Sequence, residues 1–178
     1  DKPVDLRDAR AVLEHVLERA DFRTDLYVFG NLSMDTLDYA GPKVNEGSKG
    51  VLLGVGDPIR RLPDAFTGSP PPEVRSVKVA CRGALAVEGP AFASDPTFAK
   101  TIAAHPAFAD WPLIVLCDHA GRATASMAAF LWTAFTRFEP AADLHAKDVN
   151  LVRLHPSFTA PVVLDARIAT KGYGQAFL

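Results

Sequence analysis

Apolar positions near the start of the chain recur at helical spacing: Leu6, Ala9, Val12, Leu13, Val16, Leu17 and Ala20 fall on one face. With Asp5 as N-cap, this predicts an amphipathic helix from Leu6 to Ala20. The pattern then breaks into short apolar runs. Leu26 to Phe29 predicts a short strand, Gly30 to Lys49 a long structured loop rich in turn residues, and Val51 to Val55 a second, buried strand. From Pro58 to Glu73 the density of proline predicts an extended surface connection. Val74 to Cys81 alternates as a strand should, with Val77 and Val79 on one face, and Asp95 to Ala104 suits a short helix capped by Ser94 or Asp95 with Pro96 in its first turn. Leu113 to Cys117 is an unbroken apolar run, the signature of a strand buried on both faces in the middle of a mostly parallel sheet. A helix is expected from about Thr124 to Phe138, its apolar stripe made by Met127, Phe130, Leu131, Phe135 and Phe138 and its end set by Pro140. Asn150 to Leu154 and Val162 to Asp165 predict two closing strands. Strands separated by helices give an α/β fold with a mostly parallel central sheet flanked by helices.

The chain has 178 residues, enough for one domain with a proper core. Its 48% hydrophobic and 22% charged residues, with a formal charge of -2, are those of an ordinary globular protein. Lys and Arg gather into no basic stripe, which argues against a nucleic-acid partner. The longest apolar runs, such as Pro112 to Cys117, fall far short of the roughly 18 residues that a bilayer crossing needs. The first residues, Asp1-Lys-Pro-Val, carry no apolar stretch of a secretory signal, and the missing initial Met leaves open that upstream sequence has been removed. Cys81 and Cys117 both sit in apolar, strand-like runs and are expected as buried, reduced thiols, consistent with a cytoplasmic location.

Several constellations have ordinary structural readings. Gly50-Val-Leu-Leu-Gly54-Val-Gly56 is spaced wrongly for a dinucleotide fingerprint and is followed by Pro58 rather than a helix, so it reads as strand and turn. The five histidines stand at no zinc-like spacing with cysteine, and no metal site is expected on this chain. Asp118 and His119, at the end of the central strand, stand with Ser126 nearby, but no nucleophile elbow accompanies them. Asp35 and Asp38 are expected to form turns.

Three stretches carry a resemblance to a known family. Leu113-Ile-Val-Leu-Cys-Asp118 followed by a helix bearing Trp132-Thr-Ala-Phe-Thr-Arg137 and then Pro140-Ala-Ala-Asp143 looks like the C-terminal half of the UbiD family, the polyprenyl-hydroxybenzoate carboxy-lyases and their relatives. Met34-Asp-Thr-Leu-Asp-Tyr-Ala-Gly-Pro42, continuing through Asn45-Glu-Gly-Ser-Lys49, and Leu164-Asp-Ala166 with Thr170-Lys171 are similar to further segments of that family, in the same order. The resemblance implies a single UbiD C-terminal-like α/β domain over residues 1–178, with the flavin-binding N-terminal half absent. It also implies reversible, non-oxidative decarboxylation or carboxylation of an aromatic or unsaturated acid, using prenylated FMN with a divalent metal and potassium.

The acid, Arg and acid set that performs this chemistry belongs to the family's other half. The glutamates here, Glu14, Glu18, Glu46, Glu73, Glu88 and Glu139, do not reproduce it, so no catalytic residue is assigned to this chain. The resemblance makes the chain a wall of the substrate cleft, completed by a UbiD-like partner chain that carries the flavin, within an oligomer. By the same resemblance, Val152 to Pro156 is the substrate-facing loop, with Arg153, Leu154 and His155 as substrate contacts: Arg for a carboxylate, His for a proton. Trp111 is a further expected substrate contact, by stacking, and His105 is expected to face the cofactor. The alternatives are a non-catalytic assembly module of such a complex, and a free-standing enzyme built on Asp118 and His119.

Overall fold

The structure, a computed structural model, describes residues 4–36, 38 and 40–168. Leu37, Tyr39, Thr170 and Lys171, part of the resemblance above, lie outside the described residues.

The first helix, α1, runs from Ala9 to Arg19 and is capped by Asp8, whose carboxylate accepts from the amides of Arg10 and Ala11. Asp5, the expected cap, accepts from the Arg7 amide in a separate turn, so the helix starts later than Leu6. Leu17 and Ala20 are buried at its carboxyl end.

Strands β1 (Leu26–Ser33) and β2 (Glu46–Leu52) form a two-stranded antiparallel ribbon. Both differ from the expected bounds: β1 is longer, and β2 begins inside the expected loop. The expected buried strand at Val51–Val55 is corrected as well, since Val51 is 43% and Val55 70% exposed. A ribbon of two strands has one covered face. Leu26, Val28 and Leu52 turn into the core, while Tyr27, Phe29 and Val51 alternate to the outside. Gly54 brings the end of this ribbon onto α1; a Cβ there would stand 2.6 Å from the Val16 Cα.

The main sheet has five strands in the order β3 (Ser76–Cys81), β4 (Ala84–Glu88), β5 (Leu113–Cys117), β7 (His155–Asp165), β6 (Leu144–Val152). β5 lies at its centre, all five residues buried, parallel to β4 and to β7. The two outer pairings are antiparallel, so the sheet is mixed and not mostly parallel. The cause is local. Arg82-Gly83 joins β3 to β4 and Arg153-Leu154 joins β6 to β7, and a two-residue connection can only join antiparallel neighbours. Gly83 has the positive φ, 78°, that such a turn requires.

Each sheet face carries its own core. Helix α2 (Phe98–Ala104) and the 3-10 turn Pro106–Phe108 cover one, with Phe98, Ile102, Phe108 and Trp111 against Leu85, Ile114 and Leu116. On the other, α1 and the ribbon pack with α3 (Ala120–Ala123) and α4 (Met127–Phe135) over Val115, Cys117 and Val162. The helix expected over Thr124–Phe138 is thus divided. Ser126 is extended (φ -159°) and its side chain accepts from the Ala129 amide, starting α4 afresh. Pro140 does not end that helix; it occupies the first turn of α5 (Pro140–Asp143). Among the described residues no helix is long and apolar enough to cross a membrane.

Candidate functional site

The chain leaves α1 through a tight turn over residues 21–25, in which the amides of Thr24 and Asp25 donate to the Asp21 carbonyl and the Asp21 amide donates to the Asp25 carboxylate at 2.8 Å. The turn folds Arg23 back onto Asp21. Nε meets Oδ1 at 2.9 Å and a terminal nitrogen meets Oδ2 at 2.7 Å, a bidentate pair. The hydrogen bond from Arg23 holds the Asp21 carboxyl below its ordinary value of 3.8, against a smaller opposing effect of burial.

Facing this turn is the β6–β7 hairpin. Leu113 of β5 stands opposite Val162 of β7, so His155, well upstream on β7, projects past the amino ends of the parallel strands. The His155 ring lies 4.9 Å from the Tyr27 ring, centre to centre and tilted by 57°. Its Nε2 is buried with no hydrogen-bond partner among the described residues. Together Asp21, Arg23, Thr24, Tyr27, Val152, Arg153, His155 and Ser157 line an open cleft of about 560 Å³. A second hollow of about 450 Å³ shares Asp21 and Arg23 with it and extends to Ile59, Arg60 and Phe158. Arg60 lies over the Phe22 ring at 5.7 Å and donates to the Leu17 carbonyl; burial pushes its pKa down. Within the first cleft, Arg153 stands with the Tyr27 phenol and the His155 imidazole, while Arg23 is paired to Asp21; one guanidinium beside two aromatic rings suits an acid with an apolar or aromatic body.

The residues singled out from the sequence separate in space. Arg153 and His155 line the cleft. Leu154 is not among its lining residues and is 88% exposed at the hairpin tip. Trp111 is 3% exposed, packed in the core beneath the α2 face with its ring centre 6.4 Å from that of Phe66, so it offers no free face for stacking. His105 starts the 3-10 turn: its Nδ1 accepts from the Ala107 amide at 3.3 Å and its ring sits edge-on to Phe108. Asp21, Arg23, Thr24 and Tyr27 are site residues that the sequence does not announce. Their one signal is the alternation of Asp21, Thr24 and Asp25 after the first helix, which marks a side-chain-stabilised turn.

At the opposite rim, Asp118 accepts from the Ile168 amide at 2.8 Å and stands 3.6 Å from the Arg137 guanidinium. Glu88 accepts from the Ala120 amide and from Arg75 at 3.1 Å each. Ser126, the third member of the tempting triad, is a helix cap. Asp38 caps its own turn through the Ala40 amide, as expected. Cys81 and Cys117 are free and buried, and burial pushes their thiols up to about 11 and about 12. No group of three His, Cys, Asp or Glu side chains able to hold a metal occurs among the described residues.

Comparison with known proteins gives a consistent picture. Residues 1–54 match the family model described as the 3-octaprenyl-4-hydroxybenzoate carboxy-lyase C-terminal domain, UbiD_C. The match covers the Met34–Lys49 segment and ends before Trp132–Asp143. An uncharacterized protein of Chlamydia trachomatis serovar D is 41% identical over 167 residues, 93% of this chain and 28% of its own length. A Chlamydia pneumoniae protein, named as a subunit of 4-hydroxybenzoate decarboxylase, is 39% identical over 166 residues, again 93% of this chain and 28% of its own length. The chain therefore spans 28% of the length of the curated relatives it matches. No solved structure matches.

Proposed function

The chain is UbiD C-terminal-domain-like, and from that premise we propose that it is the C-terminal domain or subunit of a UbiD-like, non-oxidative decarboxylase or carboxylase. The observation that carries this reading is the similarity of nearly the whole chain to a protein named as part of a 4-hydroxybenzoate decarboxylase. The substrate class is then an aromatic or unsaturated carboxylic acid, with a 4-hydroxybenzoate-like acid the first to test.

In this reading the domain supplies one wall of a cleft whose other wall, with the flavin, is on a partner polypeptide or a further part of the same one. Prenylated FMN, with a divalent metal and potassium, would accept the electron pair left by departing carbon dioxide. The described residues do not fit that group: they hold no metal-ligand cluster, and His105, the expected cofactor contact, is engaged as a cap. This chain's own part is to bind and orient. Arg153 neutralises the carboxylate of the arriving acid, Tyr27 packs on its apolar body, and the His155 imidazole in the cleft wall holds or passes a proton.

The test is the complete protein, loaded with its flavin, carrying Arg153→Gln or His155→Asn. The reading requires at least a tenfold fall in kcat/KM, by KM for Arg153 and with an altered pH profile for His155, at unchanged Tm. Normal kinetics in both variants would overturn the wall assignment and leave the domain an assembly module.

A further inference from the structure

The β6–β7 hairpin is longer than the sheet needs. β5 pairs with β7 only from Val162 to Asp165, so Asp148–Val152 and His155–Thr159 run past it as an arm whose inner strand packs on the segment after α1, Phe158 donating to the Phe22 carbonyl at 3.3 Å, and whose outer strand is the edge of the sheet. The arm is apolar where it should be polar. Val149 is 54%, Leu151 68% and Leu154 88% exposed, and Val149 and Leu151 share a face by strand alternation.

Its turn is also strained. Arg153 and Leu154 have φ of 50° and 64°, the left-handed conformation that two-residue hairpin turns require and that Asn-Gly adopts at little cost. Neither residue has a side chain suited to it, and Leu154 at this exposure gains little from contacts within the chain. Strain held in an exposed apolar tip points to a contact outside the chain.

We propose that this arm is a docking finger, inserting Leu154 with Val149 and Leu151 beside it into an apolar pocket on the flavin-carrying polypeptide. Two features select that occupant over a second copy. The relatives devote most of their length to sequence beyond the 28% matched here, so this domain works against a much larger body. The arm is also continuous with the cleft through Val152, Arg153 and His155, so whatever closes that cleft must meet the tip. The proposal rests on the reading of the domain as one part of a larger enzyme, and not on which acid that enzyme takes.

A photo-crosslinking phenylalanine analogue placed at position 151 of the complete protein, flavin partner included, tests it. The expected result is one dominant crosslink to a single segment of the flavin-carrying polypeptide, falling at least tenfold on adding Leu154→Asp. Crosslinks confined to residues 144–165 of a second copy, or none, overturn it.

A second measurement separates docking from mere turn formation. The pair Arg153→Asn with Leu154→Gly installs the preferred turn residues and should raise Tm while the crosslink is lost. A raised Tm with the crosslink intact makes the tip a turn and nothing more; a lowered Tm removes the strain on which the argument stands. Because Leu154→Asp leaves Arg153 and His155 in place, loss of the crosslink reports on docking whatever happens to substrate kinetics.

Discussion

The side chain of Arg167 is wholly buried, as is that of Asp165, its partner at 2.8 and 2.9 Å through a bidentate pair. The same guanidinium donates to the carbonyls of Pro90 and Asp95, both at 2.9 Å, and lies 5.2 Å over the Phe92 ring. It therefore ties the end of β7 to the segment that leads into α2. Arg167→Met keeps the length of the side chain but leaves Asp165 as an uncompensated buried charge, at a cost on the order of 3–5 kcal/mol. At about 2–4 °C per kcal/mol for a chain of this size, Tm falls by roughly 6–20 °C. Asp165→Leu alone should cost about as much, for the mirror-image reason. The double variant removes both charges and leaves the Pro90 and Asp95 carbonyls without their donor and the Arg167 amide without the Asp165 carboxylate it meets at 3.3 Å, each worth about 1 kcal/mol, so it should lie within roughly 3 kcal/mol of the parent, well short of the sum of the two single costs. Urea unfolding followed by the fluorescence of buried Trp111 measures all four corners of this cycle. Single variants that each cost under about 1 kcal/mol, or two costs that simply add, would refute the reasoning.

Two predictions concern titratable groups. Asp21, whose pKa is lowered chiefly by the Arg23 hydrogen bond, contributes stability that is present above its ordinary value of 3.8 and is lost as the pH falls through the lower folded value. Carboxyl NMR should show this titration moving up towards 3.8 in Arg23→Gln; an unmoved titration would mean that the pair does not persist in solution. The Cys81 and Cys117 thiols, pushed up by burial to about 11 and about 12, should resist alkylation at pH 8 until the protein unfolds, and the protein should lose stability as pH rises from 9.0 towards those values. Rapid labelling of either thiol in the native protein would show that its strand opens far more readily than the packing implies.

What can be read from the sequence tracks how directly a residue's environment follows from its neighbours. β5 is legible because five successive apolar residues fit a strand covered on both sides. β4 is not: Ala84 and Ala86 lack the branched side chains that mark strands. The β6–β7 turn is hidden inside the strand expected over Asn150–Leu154, because Arg-Leu bears none of the usual turn chemistry, and for the same reason the antiparallel flank of the sheet goes unforeseen. In the ribbon, apolar Val51 reads as a buried residue, although only tertiary structure decides which face of two strands is covered. Resemblance points to Arg153 and His155; Arg23 and Tyr27 reach them only through the turn after α1 and the pairing of β1 with β2, which no local pattern encodes.

The carboxylates Asp118 and Glu88 stand where open α/β sheets ordinarily admit their ligands, outside the carboxyl ends of the strands. Here each is stoppered by an amide of its own backbone, Ile168 over one and Ala120 over the other. The acceptors that would greet a guest at the customary doorway of this architecture are thus spent on holding the doorway's own frame together.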